Sequence, residues 1–284
     1  MNKHLVMGVA MGYSVEKVKP FVISLRKHYD DYIVFVMSNV DEEMEKFCND
    51  YNVYTFIPEE QMNLSTIIID RHRYYYDCIS ANFDDVDSVL LADIRDIVFQ
   101  DHPFKGYPVH DLEFFAEPEI FKHCNHNAPW IANVYGANRV KEIENEYVIC
   151  CGTTLGTRSG ILTYLETMIN EIKNIESKGR KLSGGEDQPV HNHLVYNNIF
   201  TNFRINHNGK GLVSTMHHSK SLTFNRQGQL LNDDGMPTPI VHQYDRCGPM
   251  STVFLKNALN LKGREGILEP ARYAVSNFYE HDLG

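Results

Sequence analysis

The sequence predicts an α/β fold in which a mostly parallel central sheet is flanked by helices. Short apolar runs that have the character of buried strands alternate with segments whose apolar residues recur at helical spacing. This alternation is typical of βαβ units, which build parallel sheets. A length of 284 residues suffices for one large domain, and no internal repeat or low-complexity linker divides the chain. We therefore expect a single compact domain.

The first hundred residues follow this alternation most regularly. The first strand is predicted at residues 4–9, and Ser14 is expected to cap the next helix, because apolar residues from 18 to 25 recur at helical spacing. Further strands are predicted at residues 32–37, 53–57 and 89–92, and further helices at residues 41–48 and 66–80. The glycines between Gly8 and Gly12 do not match GxGxxG, so a dinucleotide-binding fold has weak support.

The second half of the chain is less regular. Strands are predicted at residues 112–116, 147–154, 203–206, 221–224 and 240–242. A long helix is predicted at residues 160–178, and a glycine turn at 183–189 is expected to open another helix that ends near residue 196. The segments 118–130 and 225–239 are rich in polar residues, glycine or proline and are interpreted as loops.

Charge and cysteine usage exclude some classes of protein. A formal net charge of −10 argues against general nucleic-acid binding, so an anionic substrate would need local cations or a metal. The six cysteines form no CxxC pair, and adjacent Cys150 and Cys151 are interpreted as reduced core thiols. We expect no signal peptide and no membrane span, since no run of 18 apolar residues occurs. These features favour a reducing, cytoplasm-like compartment.

Two carboxylates follow the strand predicted at residues 89–92. Asp93 and Asp96 flank Arg95, and an apolar run resumes at Ile97. Carboxylates at the carboxyl end of a parallel strand face the crevice where open α/β sheets bind ligands, and two of them can hold a hard divalent cation. In an extended strand Asp96 would point away from Asp93, so only a turn after Asp93 lets both converge. The alternative is an exposed acidic turn neutralised by Arg95.

A second candidate site is the glycine turn Gly184–Gln188. Glycines permit a sharp turn and close approach of the backbone to a ligand. The carboxylate of Asp187 either caps the following helix or lies in a cleft as a general base or acceptor clamp.

Late in the chain, His242 ends a short apolar strand and is either a core residue or an imidazole ligand of a metal. Arg246 lies four residues further on and could bind a phosphate. On the helix before the acidic turn, Arg71 and Arg73 are either solvated, paired with the acids, or facing a nucleotide. His123 and His126 lack the spacing of a zinc site and are assigned to a loop.

Five motifs occur in one order along the chain: Gly8–Tyr13, Asp93–Asp96, Cys151–Thr154, Gly184–Gln188 and His242. In this order they resemble the GT-A-fold, nucleotide-sugar-dependent glycosyltransferases, specifically the glycogenin-like branch and the small glycosyltransferases of large algal viruses and their plant and bacterial relatives. The resemblance covers roughly residues 4–250. It implies one GT-A-like, Rossmann-like domain over residues 1–262, with a nucleotide-binding half (1–104), an acceptor half (105–262) and a tail (263–284). For a viral enzyme, the compartment would be the host cytoplasm.

The resemblance also implies a metal and nucleotide site. Asp93, Asp96 and His242 would hold Mn²⁺ or Mg²⁺ on the diphosphate of a UDP-sugar, although the spelling Asp-Ile-Arg-Asp leaves open whether Arg95 takes the place of the second acid. The residues expected to contact the nucleotide are Ala10, Gly12, Tyr13, Arg73, Asp93 and Arg246.

For the sugars, the resemblance implies that Gly152, Thr153 and Arg95 lie near the donor, and that Asp187 and Gln188 lie near the acceptor. The expected reaction moves a sugar, with xylose as one candidate, from UDP to a glycan or glycoprotein. With Asp187 as base the reaction would invert the anomeric centre; with Asp187 as nucleophile or clamp it could retain it. Two alternatives stay open: a metal-dependent phosphohydrolase or nucleotidyltransferase, and a non-catalytic nucleotide-sugar-binding protein.

Overall fold

A computed structural model describes residues 3–259 and 272–274. It confirms the predicted fold class, because helices flank a central sheet of seven mostly parallel strands within one α/β domain. Strands from residues 1–104 and from residues 105–262 join this one sheet. Of the predicted tail, only Arg272–Ala274 belongs to the described residues, and the remainder lies outside them. Among the described residues, no helix is long and apolar enough to cross a membrane.

The described residues form twelve strands, eight α-helices and two 3₁₀ turns. The strands are β1 (His4–Val9), β2 (Tyr32–Val36), β3 (Val53–Phe56), β4 (Ser88–Ala92), β5 (Ile97–Phe99), β6 (Leu112–Ile120), β7 (Tyr147–Thr157), β8 (Phe203–Asn206), β9 (Val213–Thr215), β10 (Ser221–Thr223), β11 (Ile240–His242) and β12 (Arg272–Ala274). The helices are α1 (Val15–Arg26), α2 (Glu42–Asp50), α3 (Ile67–Asn82), α4 (Asn127–Tyr135), α5 (Ala137–Ile143), α6 (Arg158–Ser177), α7 (Asp187–Tyr196) and α8 (Pro249–Ala258). The 3₁₀ turns are Phe121–His123 and Tyr244–Arg246.

The order of the strands in the central sheet creates a crevice at one edge. The order is β3-β2-β1-β4-β7-β6-β8, and β7 alone runs antiparallel to its neighbours. Strands β2 and β3 lie on one side of β1, whereas β4 lies on the other, so the winding reverses between β1 and β4. Ligands of open α/β sheets bind outside the carboxyl ends of the strands at such a reversal.

Alternation along the central strands divides the core into two layers. Leu5 and Met7 of β1 point to the side covered by α3, α6 and α7, whereas Val6 points to the side covered by α1 and α2. The same division holds in β4, where Leu91 and Leu90 face opposite layers. Side chains that alternate with a period of two explain why these strands are apolar throughout: both faces are buried.

A second, three-stranded sheet has the order β5-β11-β9. Strand β11 pairs antiparallel with β5, so that His242 lies opposite Ile97, and it pairs parallel with β9, so that His242 also lies opposite Thr215. Because β5 begins directly after Asp96, this pairing carries the late histidine to the acidic turn.

Most predicted elements are confirmed, with small shifts at their ends. Ser14 occupies the N-cap position of α1 but its side chain makes no capping hydrogen bond, whereas the Asp41 side chain accepts one from the Met44 amide. The prediction of a loop at residues 118–130 is wrong: β6 continues to Ile120, and α4 begins at Asn127. Pro118 is tolerated within β6 because the pairing with β7 shifts register between Ala116 and Ile120.

Glu113 of β6 is a buried carboxylate that fixes the turn before the strand. Its oxygens accept hydrogen bonds from the amides of Val109 and His110 and from the side chains of Arg204 and Asn206. Burial alone would raise the pKa of Glu113, but the surrounding donors lower it below its ordinary value.

We therefore expect Glu113→Ala to destabilise the fold by about 3–5 kcal/mol at neutral pH, because it leaves four donors without their acceptor. A lowered pKa means that the stabilisation is present above the unfolded-state pKa and is lost as the pH falls through the lower folded-state value. Chemical denaturation should thus show the difference from the unmodified protein shrinking below about pH 4.5. The exposed Glu166→Ala serves as control, expected within about 0.5 kcal/mol. A constant difference down to pH 3 would contradict the assignment.

Candidate functional site

The acidic turn lies at the carboxyl end of β4, beside the reversal in strand order. The chain bends after Asp93, whose amide donates to the carbonyl oxygen of Gly152 at 2.8 Å. Asp96 turns back toward Asp93, as the sequence required for both carboxylates to converge. The ligand atoms of Asp93, Asp96 and His242 all lie within 4.8 Å of one another. The turn is therefore not an exposed acidic loop, since Asp96 is 2 % exposed.

The imidazole of His242 closes this group from the side of the small sheet. Its Nε2 atom lies 3.5 Å from Asp96 Oδ1 and 3.9 Å from Asp93 Oδ2. The ring is fully buried, and Nε2 makes no hydrogen bond to any described residue. Nδ1 lies 3.6 Å from the Cys150 sulfur, which fixes the ring orientation. A buried ring nitrogen aimed between two carboxylates without a hydrogen bond is the arrangement of a metal ligand.

Electrostatics at the turn keep Asp96 ionised. Burial would raise the pKa of Asp96, but His242, Arg246 and Arg95 outweigh burial and lower the pKa to about 2. Burial opposes protonation of His242, yet Cys150 and Asp96 raise its pKa well above the ordinary value. Asp96 and His242 therefore form a close pair of oppositely charged groups.

Gly152 of β7 lies against the acidic turn. A Cβ atom at this position would collide with Oδ2 of Asp93 and would approach the His242 ring to 3.2 Å. The absence of a side chain is what lets β7 pass beside both groups.

We expect Gly152→Ala to displace Asp93 and weaken Mn²⁺ binding at least about tenfold, because a shift of an ångström removes a ligand from its position. Isothermal titration with Mn²⁺ measures this change. Circular dichroism serves as the control for an intact fold. Unchanged Mn²⁺ affinity in a folded variant would show that the position of the Asp93 carboxylate does not depend on the missing side chain at Gly152.

Arg71 of α3 connects the acidic turn with the glycine turn. Its guanidinium donates to Asp93 Oδ1 at 2.7 Å and to Asp187 Oδ2 at 2.5 Å, and it is buried. The sequence leaves open whether Arg71 or Arg73 pairs with the acids, and it is Arg73 that is expected to contact the nucleotide. In the structure Arg71 lies on the buried face of α3 together with Ile67 and Tyr75, four residues before and after it.

Asp187 does not cap α7. The N-cap residue is Glu186, and the Asp187 carboxylate instead binds Arg71 and lies 3.3 Å from the Cys151 sulfur. Burial would raise the pKa of Asp187, but Arg71 and His72 lower it well below its ordinary value. A carboxylate that is buried, paired and acidic is a poor proton acceptor, so this geometry argues against the general-base role.

A cavity of about 10 Å³, room for about one water molecule, lies between the acidic turn and this ion pair. Arg71, His72 and Cys151 line it. His72 is 2 % exposed, and Asp187 Oδ2 lies 3.6 Å from its Nε2 atom.

The loop after β1 approaches the acidic turn from the opposite direction. Ala10 is buried and its carbonyl accepts from the Tyr13 amide at 3.2 Å, which closes a turn with Gly12 at φ +71°. Burial first, and the charge of Asp93 second, raise the pKa of the Tyr13 phenol, so this side chain lies near the acids. The loop predicted to hold the nucleoside thus borders the acidic turn on the β1 side.

Two further arginines flank the turn. Arg246 donates to Asp96 Oδ2 at 3.0 Å, so it lies beside the acidic turn. Arg95 is half-exposed and pairs with Asp245 at 3.2 Å, whereas Asp96 offers a ligand atom beside Asp93. Arg73 is not among these groups, because its guanidinium pairs with Glu60 at 2.6 Å.

The remaining predicted residues, Thr153 and Gln188, belong to β7 and α7. Thr153 follows Gly152 and is fully buried, and its hydroxyl makes no hydrogen bond within the described ranges. Gln188 accepts from the Cys151 amide at 2.8 Å and donates to Glu117 at 3.3 Å. Gln188 therefore ties β7 to the end of β6 beside the site.

Comparison with protein-family models gives no match for this chain, and a search of curated proteins gives none either. The class of the site is therefore defined by its geometry: a mixed carboxylate–imidazole group at the ligand-binding edge of an open α/β sheet.

Proposed function

We propose that the protein is a metal-dependent glycosyltransferase that moves a sugar from a UDP-sugar to a glycan or glycoprotein acceptor. One observation carries this proposal: Asp93, Asp96 and His242, which are separated by up to 149 residues, converge at the switch point of the sheet. The resemblance of the five sequence motifs to GT-A-fold enzymes supports the same function.

The residues at the acidic turn fit a divalent cation. Carboxylate oxygens suit Mn²⁺ and Mg²⁺, and His242 offers a buried nitrogen without a hydrogen bond among the described residues. Asp93, Asp96 and His242 would hold the ion. When bound, it would neutralise the charge that develops on the leaving diphosphate.

Other residues of the chain would bind and orient the donor. Arg246 and Arg95 carry their charges to the rim of the turn and would meet diphosphate oxygens. The loop of Gly12 and Tyr13 would hold the nucleoside on the β1 side. Arg71 holds the Asp93 carboxylate in place from within the domain. The general-base role of Asp187 is not part of this proposal.

Incubation of the protein with UDP-xylose, UDP-glucose and UDP-galactose tests the proposal. With Mn²⁺ we expect slow release of UDP and free sugar from at least one donor, and loss of this activity after chelation by EDTA. Release of inorganic phosphate or pyrophosphate without free sugar would indicate a phosphohydrolase or nucleotidyltransferase. Binding of UDP without hydrolysis of any donor would indicate a binding protein. Either result would contradict the proposal.

A further inference from the structure

The acidic turn has two sides, and the strand order determines which elements border each of them. Strand β1 and its loop with Tyr13 lie on one side of β4, whereas β7 and β6 lie on the other. Strand β6 runs parallel to β4, so its final residues, including Glu117 and Glu119, reach the same edge of the sheet as Asp93. A donor with its nucleoside on the β1 side would therefore leave the β6 side open for a second substrate.

A group of polar and aromatic side chains occupies this side, and we call it the rim cluster. Its members are Glu119, His126, Trp130, His217 and His218; the rings of His126 and Trp130 are neighbours, as are those of His217 and His218, and His218 pairs with Glu119. They come from β6, from the start of α4 and from the segment after β9, and none of them is fully buried. The rim cluster is separate from the three groups proposed to hold the metal.

Contacts connect the rim cluster to the site by two routes. The indole of Trp130 packs on the glycine turn, since a Cβ atom at Gly185 would lie 3.0 Å from the ring. That turn leads directly into Asp187 and Gln188. On the other route, His218 Nε2 lies 3.8 Å from Glu119 Oε2, and the charges of Arg246 and His126 reach His218.

The shape of β6 directs its acidic residues toward this side. The pairing of β6 with β7 shifts register between Ala116 and Ile120, and such bulges re-aim side chains next to binding sites. Glu117 and Glu119 both lie in this stretch of shifted register. Glu117 binds Gln188, whereas Glu119 reaches the rim cluster.

We propose that the rim cluster is the acceptor subsite and binds a pyranose ring, with Trp130 as the stacking face and Glu119 and His218 as hydrogen-bonding partners of the sugar hydroxyls. This inference rests on the proposed glycosyltransferase function. The C–H face of a pyranose is apolar and its hydroxyls are polar, so an aromatic ring beside carboxylate and imidazole groups is complementary to it. Burial lowers the pKa of His217, the neighbour of His218, to about 3, so this ring is uncharged near neutral pH.

Trp130 is the only tryptophan in the chain, so its fluorescence reports on the subsite directly. We would titrate the protein, with UDP and Mn²⁺ present, with the methyl α- and β-glycosides of glucose, galactose, mannose and xylose. At least one glycoside should change the Trp130 emission in a saturable manner. This titration reads the subsite whether or not the donor is turned over. Absence of any saturable change with all eight compounds would overturn the inference.

Kinetics of variants provide the second measurement, with the glycoside that binds as acceptor. Trp130→Ala should raise the acceptor KM about tenfold or more, and Trp130→Phe should recover most of the loss. Hydrolysis of the UDP-sugar without acceptor is measured in parallel as the readout of the metal site. Tyr54→Ala removes an exposed aromatic ring on β3, at the far side of the sheet, and should change neither quantity.

An unchanged acceptor KM in Trp130→Ala would overturn the subsite while leaving the proposed function standing. Absence of donor hydrolysis in the unmodified protein would instead remove the proposed function, and the fluorescence titration would still decide whether the rim cluster binds sugars.

Discussion

Replacing Asp93 by alanine should abolish the Mn²⁺-dependent rise in melting temperature that UDP produces. A ligand at about 100 times its Kd stabilises a folded protein by about 2.7 kcal/mol, which corresponds to several degrees for a domain of this size. Asp93 offers one of three ligand groups and is the one on β4 nearest the β1 loop. Without Asp93, the diphosphate loses its link to the protein through the ion. The stabilisation of the folded protein by UDP and Mn²⁺ should therefore fall below about 0.5 kcal/mol.

The comparison must use the shift rather than the melting temperature itself. Asp93 also pairs with buried Arg71, so Asp93→Ala will lower the stability of the ligand-free protein. Asp93→Asn, which keeps the shape, should likewise lose the shift. The matched control is Asp234→Ala, an exposed aspartate of the 225–239 loop, which should respond to UDP and Mn²⁺ like the unmodified protein. If Asp93→Asn shows the same rise in melting temperature with UDP and Mn²⁺ as the unmodified protein, the proposed metal site is excluded.

Replacing Asp187 by asparagine should destabilise the fold by about 3–5 kcal/mol, because it leaves the buried Arg71 with one carboxylate instead of two. Arg71 has a side-chain exposure of 8 % and Asp187 of 3 %, so water cannot compensate for the lost charge. Arg71→Met should cost a similar amount. The double variant should be more stable than the sum of the two single effects predicts, since the unpaired charge is gone.

Denaturation by urea or guanidinium measures these effects, with the exposed Asp77→Asn of α3 as control, expected within about 0.5 kcal/mol. The experiment also separates two roles of Asp187. If Asp187→Asn folds with unchanged stability and loses only sugar transfer, the carboxylate is a catalytic base and not the structural partner of Arg71.

Individual elements show which features of the structure could be predicted from the sequence and which could not. The acids were found from residue order, because charged residues that interrupt an apolar strand must face a ligand, a partner or water. The convergence of Asp96 with Asp93 was predicted as the consequence of a turn, and the structure contains that turn. In contrast, the three-residue strands β5, β9 and β11 are too short to show any periodicity, and β9 was not predicted at all.

The choice between Arg71 and Arg73 shows a different kind of limit. Both belong to one predicted helix, and only the position of that helix over the sheet decides which arginine meets the acids. The role of Asp187 depends on the same packing, because a residue at the start of a helix is equally suited to capping, catalysis or an ion pair. The helix α4 is not predicted because the segment 118–130, which includes its start, is rich in His, Asn and Pro like a loop, and α5 is not predicted either.

The sequence by itself determined the α/β class, the positions of most elements and the identity of the metal-ligand candidates, because apolar periodicity and residue chemistry are local properties of the chain. Only the tertiary structure decided that His242 lies beside Asp96, that Arg71 rather than Arg73 binds the acids, and that Trp130 lies at the rim. These pairings join residues that are distant in sequence, and they follow from strand order and helix packing, which arise from burial of the whole core rather than from any single segment.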